Sequence, residues 1–215
     1  MKGRIILSVI FVATFALSRI PGLLPPNFSA AYAFAFCAGV YFRGALTWWL
    51  PLGVMLATDL GLNFYYQHTG IDPEVWSAAN VANLTINYAA YVILILLGRG
   101  FQMQKSFLKL LGGGLFGAVL FYFLTNTASW LFNPFHNLEY TRNLAGWIKA
   151  LTCGINGYPP TWEFFRNTLL GGGLFTALFA ASEKLTAESP AEKTAGQHEP
   201  KAESESEGEP EEAKA

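Results

Sequence analysis

The chain has 215 residues, of which 52% are hydrophobic and only 13% are charged. Soluble domains carry about 25% charged residues on average, so this composition excludes an ordinary soluble domain and favours an integral membrane protein. The formal net charge is −1, and no stripe of basic residues indicates a nucleic-acid partner.

Apolar runs of about 18 or more residues with few charges are typical of membrane spans. They predict an all-α, polytopic membrane protein with about six transmembrane helices, embedded in a lipid bilayer. The predicted spans cover residues 4–20, 27–42, 45–66, 76–98, 107–132 and 160–182. The first run also resembles a signal peptide with a small-residue cleavage site, but its continuation into a proline-rich loop favours a retained helix.

The segment SRIPGLLPPN, residues 18–27, connects the first two spans. Its three prolines restrict the loop to a few conformers, which suits a gate or lid over a pocket. Arg19 either binds a carboxylate or phosphate or extends its side chain from the membrane to the interface. The sequence leaves both roles open.

Small residues repeat every four positions on the second span, at Ala31, Ala35 and Gly39. Such stripes allow helices to approach closely. Internal packing is the simpler interpretation, and a docking face for a membrane partner is the alternative.

Residues 141–155 predict a short amphipathic helix on the outer membrane surface. Its apolar residues recur at helical spacing: Leu144, Trp147, Ile148, Leu151 and Ile155. Pro159 and Pro160 then end this segment and begin the sixth span.

The C-terminal residues differ in composition from the rest of the chain. Residues 186–215 hold nine Glu and three Lys, a net charge of −6, whereas the other 185 residues carry +5. We therefore expect a six-helix transmembrane domain over residues 1–183 and a disordered acidic cytoplasmic tail over residues 184–215. The tail is either a solvated spacer or a docking segment for a cytoplasmic partner.

The loop charges predict the orientation of the chain. One side of the predicted bundle carries Lys2, Arg4, Arg43, Arg99, Lys105, Lys109 and Lys184. The loops on the other side carry both signs of charge. Because Lys and Arg accumulate on the cytoplasmic side, we expect both termini to be cytoplasmic.

Polar side chains of the predicted spans gather in the outer leaflet. The residues that we select from them as candidate ligand contacts are Arg19, Asn27, Asp59, Asn63, Asn80, Asn83, Asn87, Asn126, Trp130 and Asn167. Polar groups inside a membrane usually face a protein interior or a water-filled cavity. This depth pattern predicts an outward-facing polar pocket above an apolar floor.

The fourth span and Asp59 each have a structural alternative. Asn80, Asn83, Asn87 and Tyr91 share one helix face, which indicates either a pocket wall or a hydrogen-bonded seam between helices. Asp59 is the only acid in the middle of a predicted span. It binds a cationic group of a ligand, carries a proton, or forms a structural ion pair with Arg19 or Arg166.

Motifs for nucleotide hydrolysis and common hydrolases do not occur in the sequence: there is no P-loop, HExxH or GxSxG. Cys37 and Cys153 form no CxxC pair, and no His/Cys cluster indicates a metal site. We therefore expect no cofactor and no enzymatic activity.

Several motifs resemble an uncharacterised family of bacterial six-helix membrane proteins described as candidate transport proteins. They are R-x-P followed by PPN, AFAFCAGVYF, PLGVMLATDLGL, FYFLTNTASW, EYTRNLAGW and PPTWEFFRNTLLGG. That family is similar in architecture to the S components of energy-coupling factor (ECF) vitamin transporters. By motif position, the family-like polar residues are Arg19, Asn27, Asp59, Asn126, Trp130, Tyr140 and Asn167.

The resemblance implies an S-component-like bundle in the bacterial cytoplasmic (inner) membrane. It also implies a pocket under the loop between the first two spans, and a scaffold subunit and ATPases as partners. We therefore expect a substrate-binding subunit of a small-molecule uptake system. The alternatives are a membrane assembly or structural protein, a stand-alone channel or carrier, and a membrane-embedded enzyme that uses Asp59 or Glu163 on an outer-leaflet substrate.

Overall fold

The computed structural model describes residues 2–186 except 103 and 105. Within these residues the chain is all-helical, with seven helices and no strand. The helices are α1 (Lys2–Ser18), α2 (Ala31–Tyr41), α3 (Leu46–Thr69), α4 (Ala78–Arg99), α5 (Phe107–Phe132), α6 (Leu144–Thr152) and α7 (Thr161–Thr186). The all-α prediction is confirmed, and from residue 187 onward the predicted disordered tail lies outside the described residues.

The predicted spans correspond to α1 to α5 and α7, and the predicted surface helix corresponds to α6. The bounds of α5 agree with the prediction, whereas α2 begins at Ala31 instead of at residue 27. Pro25 and Pro26 have no N–H to donate, and Asn27 has a left-handed φ of 60°. These residues therefore belong to the connection between α1 and α2.

Helix α2 lies at the centre of the bundle. Its residues 31–40 are all buried, and it contacts α1, α3, α4, α5 and α7. Where α2 crosses α4, Gly39 and Gly98 face each other so closely that a Cβ on Gly98 would overlap the carbonyl oxygen of Phe36. The small-residue stripe predicted on this helix therefore packs inside the bundle.

Aromatic rings fill the end of the bundle where α1 begins and α7 ends. Phe11 stacks on Phe179 with ring centroids 4.0 Å apart, and its edge contacts Phe42. The two chain ends are neighbours here, because a Cβ on Gly3 would lie 2.6 Å from the carbonyl oxygen of Thr186. This end of the bundle is therefore filled by packed apolar side chains, and we call it the apolar plug.

Helix α6 is short and amphipathic, as predicted. The side chain of Asn143 caps it by accepting a hydrogen bond from the N–H of Gly146 at 2.9 Å. The indole of Trp147 donates to Thr127 of α5 at 3.1 Å, whereas Leu144 and Ile148 remain exposed. One face of α6 therefore packs on the bundle and the other is an open apolar surface.

Two helices, α4 and α5, are long and apolar enough to cross a membrane, and most residues of their apolar windows are not buried within the protein. Helices α1 and α2 are apolar but shorter, and α3 and α7 are long but less apolar. By length and composition alone, the described residues therefore hold two candidate spans instead of six.

Candidate ligand-binding cavity

A cavity of about 480 Å³ lies between the α1–α2 connection and helices α3, α4 and α5. Sites for small molecules measure about 300–1,000 Å³, so this volume suits a small ligand. Polar residues that line the cavity are Ser18, Arg19, Asn27, Ser29, Tyr32, Asn63, Tyr66, Asn83, Asn87, Tyr91, Thr125, Asn126 and Ser129. The structure thus brings together six of the predicted site residues: Arg19, Asn27, Asn63, Asn83, Asn87 and Asn126.

The α1–α2 connection forms one wall of the cavity. The side-chain amide of Asn167, on α7, donates a hydrogen bond to the carbonyl of Pro26 at 2.9 Å. The hydroxyl of Tyr32, on α2, donates to the carbonyl of Asn27 at 3.0 Å. Asn167 therefore does not line the cavity but holds the wall that covers it.

Arg19 reaches the cavity from the end of α1 and pairs with Asp59 of α3. Asp59 also accepts a hydrogen bond from the hydroxyl of Tyr88 at 2.9 Å. Its side chain is only 13% exposed, and it is not part of the cavity lining. Of the roles open to Asp59, the structure shows the ion pair with Arg19, which fixes the arginine at the cavity wall.

Three amides face the cavity without a partner. Asn63 of α3 and Asn83 and Asn87 of α4 line it, and in the described part of the chain no hydrogen bond is made by their side chains. A carboxamide has two N–H donors and a carbonyl acceptor. All three are partly exposed, so this wall offers both donors and acceptors to a molecule in the cavity.

Asn80 lies one turn away from this wall and has a different role. Its side-chain amide donates to the carbonyl of Glu74 at 2.9 Å, just after Ser77 caps the start of α4. It lines a neighbouring depression of about 230 Å³ that shares Asn63, Asn83 and Asn87 with the cavity. The polar face predicted on α4 therefore has two roles. Asn80 belongs to the capped start of the helix, whereas Asn83 and Asn87 line the cavity.

Aromatic rings form the base of the cavity, and two of them, Tyr32 and Phe121, are not among the predicted site residues. Tyr91 stacks on Phe121 with centroids 5.1 Å apart, and Tyr32 lies 4.7 Å from the same ring. The spacing of four between Phe121, Thr125 and Ser129 on α5 was the available signal, since it aligns these residues on one face.

Like Asp59, Asn80 and Asn167, the predicted site residues Trp130 and Tyr140 lie outside the cavity lining. The indole of Trp130 donates to the carbonyl of Thr141 at 2.7 Å, and Tyr140 lies in the connection between α5 and α6. Both are motif residues at the same end of the bundle, and the bond from Trp130 holds this connection against α5.

A family model matches residues 1–194 of the chain. The chain belongs to DUF6580, a family of unknown function. No curated protein and no solved structure matches it. The matched part contains every described helix. All residues that line the cavity of this DUF6580 protein therefore lie in the part of the chain that matches the family.

Glu139 lies in the connection between α5 and α6 and contacts residues in and after α6. Its carboxylate pairs with Lys149 and accepts a hydrogen bond from the N–H of Asn156 at 2.9 Å. These contacts, led by the bond from Lys149, hold the pKa of Glu139 below its usual value. Burial raises the pKa of the neighbouring Tyr140. Glu139 therefore links the α5–α6 connection both to α6 and to the segment that precedes α7.

The arrangement offers hydrogen bonds and ring stacking at a site of little net charge. The positive charge of Arg19 is balanced by Asp59, and the remaining polar groups around the cavity are amides and hydroxyls. Within the described residues, no three His, Cys, Asp or Glu side chains come together as metal ligands. The polar groups that line the cavity of this DUF6580 protein can donate and accept hydrogen bonds.

Proposed function

We propose that this protein is the substrate-binding membrane subunit of a small-molecule uptake system. The observation that carries the proposal is the cavity of about 480 Å³ with three unpartnered amides on one wall. A cavity with convergent polar groups is the usual form of a ligand site. The ligand is a vitamin-like or micronutrient molecule.

The lipid bilayer is the proposed environment of the bundle that α1 to α5 and α7 form. Helices α4 and α5 meet the requirements for a span on their own. On α7, Leu170, Leu174 and Leu178 form an exposed apolar row, and α1 exposes Ile5 and Val9 in the same way. Apolar surfaces of this extent are rare on soluble monomers, and lipid covers them in a six-span bundle.

The chemistry of the ligand follows from the cavity wall and base. Amides recognise groups that donate and accept hydrogen bonds side by side, and the rings of Tyr91 and Phe121 favour a flat face. Because Asp59 balances the charge of Arg19, a fully charged ligand gains little from the site. A small, flat and polar molecule with at most partial charge fits best.

The proposed mechanism resembles that of ECF S components. The ligand binds on the outer side of the bacterial inner membrane, and reorientation of the bundle releases it inside. The chain contains no P-loop, so energy for uptake comes from partners, namely a scaffold subunit and ATPases. Both termini are cytoplasmic in this arrangement.

The test is thermal unfolding of the purified protein in detergent against a panel of vitamins and polar metabolites. A ligand that binds only the folded state adds about 2.7 kcal/mol at one hundred times its dissociation constant. We expect one compound to raise the unfolding temperature. The rise should disappear in the variant Asn83→Leu/Asn87→Leu, which removes two unpartnered amides without removing a protein contact.

Asn156→Leu is the matched control, because this exposed asparagine uses only its backbone N–H in the described contacts. The compound should still stabilise the control variant. If no compound shifts unfolding of the parent, or if the shift persists in Asn83→Leu/Asn87→Leu, the cavity is not the binding site and the assembly or structural alternative gains.

A further inference from the structure

A second cavity lies at the other end of α3 and α4. It measures about 370 Å³ and is lined by Arg43, Gly44, Ala45, Thr47, Trp48, Arg99 and Gln102. About 15 helical residues separate it along α3 from the ligand cavity, a rise of about 20 Å. The two cavities therefore share no residue.

The charge of this second cavity is positive and unbalanced. Arg43 and Arg99 are both exposed at its rim, and in the described part of the chain neither forms an ion pair. The guanidinium of Arg99 lies 5.9 Å from the ring centre of Trp48. Two arginines without a carboxylate partner provide positive charge and several N–H donors, which suit an anion.

A buried threonine at the same place has a hydroxyl group without a partner in the described residues. Thr47 is only 2% exposed and lines the cavity, yet in the described residues its side chain makes no hydrogen bond. No side chain caps the start of α3 at Ala45, and the N–H groups of Leu46 and Thr47 donate no hydrogen bond in the described residues. Helix starts of this kind attract phosphate.

The backbone around the second cavity is fixed before any ligand arrives. The side-chain amide of Gln102 donates to the carbonyls of Gly39 and Phe42, at 3.1 and 3.4 Å. These bonds hold the α2–α3 connection against the segment after α4. The backbone next to Arg43 and Arg99 is therefore held in place by hydrogen bonds within the protein.

The depth of the second cavity indicates the source of the anion. It lies where the candidate span α4 ends at Arg99, beside Trp49, which is 75% exposed. Tryptophan is enriched at the level of lipid headgroups, and basic residues beside a span attract anionic lipids. We infer that this cavity binds the phosphate of an anionic lipid headgroup.

The test is thermal unfolding of the full chain in neutral detergent with added phosphatidylglycerol. Phosphatidylcholine and soluble glycerol 3-phosphate are the comparison ligands. We expect phosphatidylglycerol to raise the unfolding temperature in a saturable manner, and the other two to have little effect. In Arg43→Gln/Arg99→Gln its dissociation constant should increase by about thirtyfold, since each arginine near an anionic surface contributes about 1 kcal/mol.

Thr47→Val provides a second variant, because it removes the unpaired hydroxyl and keeps the shape of the side chain. It should weaken phosphatidylglycerol binding without lowering stability in detergent alone. Arg142→Gln is the control for the loss of an exposed arginine, since Arg142 is exposed at the other end of the bundle, and it should bind as the parent does.

Two results would overturn the inference. Unchanged phosphatidylglycerol binding in both cavity variants would mean that the lipid binds elsewhere. Equal stabilisation by glycerol 3-phosphate, lost in the same variants, would mean that the phosphate comes from a soluble molecule. Neither result bears on the ligand cavity, whose amides are not altered.

Discussion

Arg19 and Asp59 show how a polar pair can serve a binding site without both members touching the ligand. Arg19 lines the cavity, whereas Asp59 lies behind it and holds the guanidinium together with the hydroxyl of Tyr88. The Nε atom of Arg19 is buried and has no partner in the described residues. The guanidinium therefore retains a donor that the protein itself does not use.

The change Asp59→Asn should destabilise the protein by about 2 kcal/mol, because it leaves a partly buried guanidinium without a counter-charge. It should also weaken retention of any ligand of the cavity. Denaturant unfolding in detergent measures the first effect. Asp72→Asn is the control, since Asp72 forms no ion pair within the described residues and accepts a backbone N–H, a contact that asparagine preserves. Equal stability of the two variants would contradict a stabilising pair.

Glu139 gives a prediction about pH. Its pKa is lower in the folded protein than in the unfolded chain because it pairs with Lys149 and accepts the Asn156 N–H. The pair therefore stabilises the fold above the ordinary glutamate pKa of about 4.3, and this contribution disappears as the pH falls through the folded-state pKa.

In Glu139→Gln, the unfolding temperature should be lower than that of the parent at neutral pH, and the two should converge in acid. Thermal unfolding at a series of pH values measures this difference. Glu74→Gln is the comparison, because Glu74 is exposed and forms no ion pair in the described part of the chain. A gap between Glu139→Gln and the parent that is independent of pH would exclude the electrostatic account.

At the scale of helices, apolar runs and prolines were sufficient to predict most boundaries. The bounds of helix α5 were predicted to the residue because Ser106 and Asn133 flank a largely apolar run whose one charged residue is Lys109. The start of α2 was predicted too early, because hydropathy does not register the missing N–H of Pro25 and Pro26 or the left-handed backbone of Asn27. Local conformation there depends on the bonds to Tyr32 and Asn167.

The candidate site was predictable only where its residues share a helix face. The amides of α4 repeat at helical spacing, so their common wall follows from the sequence. The aromatic base joins α2, α4 and α5 through Tyr32, Tyr91 and Phe121. Contacts between three helices depend on how those helices pack, and single-chain spacing carries no information about this.

The crossing of α2 and α4 depends on glycine. A Cβ on Gly98 would overlap the backbone carbonyl of Phe36, so Gly98→Ala must push the helices apart and should cost about 3 kcal/mol. Gly112→Ala, on the open side of α5 where nothing lies within 4 Å of the added Cβ, should be neutral or stabilising by up to about 1 kcal/mol. Unfolding in denaturant measures both, and similar costs would disprove a close crossing.

At the scale of the whole molecule, the apolar plug and the polar cavity lie at opposite ends of one bundle. The beginning of α1 and the end of α7 are neighbours at the plug, together with the basic residues Arg43, Arg99 and Lys184. The connection that carries Glu139 and α6 belongs to the cavity end. Under the proposed orientation, the plug faces the cytoplasm and the cavity faces outward.

The two native cysteines test this orientation without engineering. Cys153 is exposed just after α6, whereas Cys37 is buried in α2 and only 1% exposed. A maleimide that cannot cross membranes should therefore label intact bacterial spheroplasts at Cys153 alone, and Cys153→Ser should remove the signal. If Cys153 is labelled only after the membranes are permeabilised, the orientation of the bundle is opposite to the one proposed. The cavity would then open to the cytoplasm, which is incompatible with a subunit that captures its substrate outside the cell.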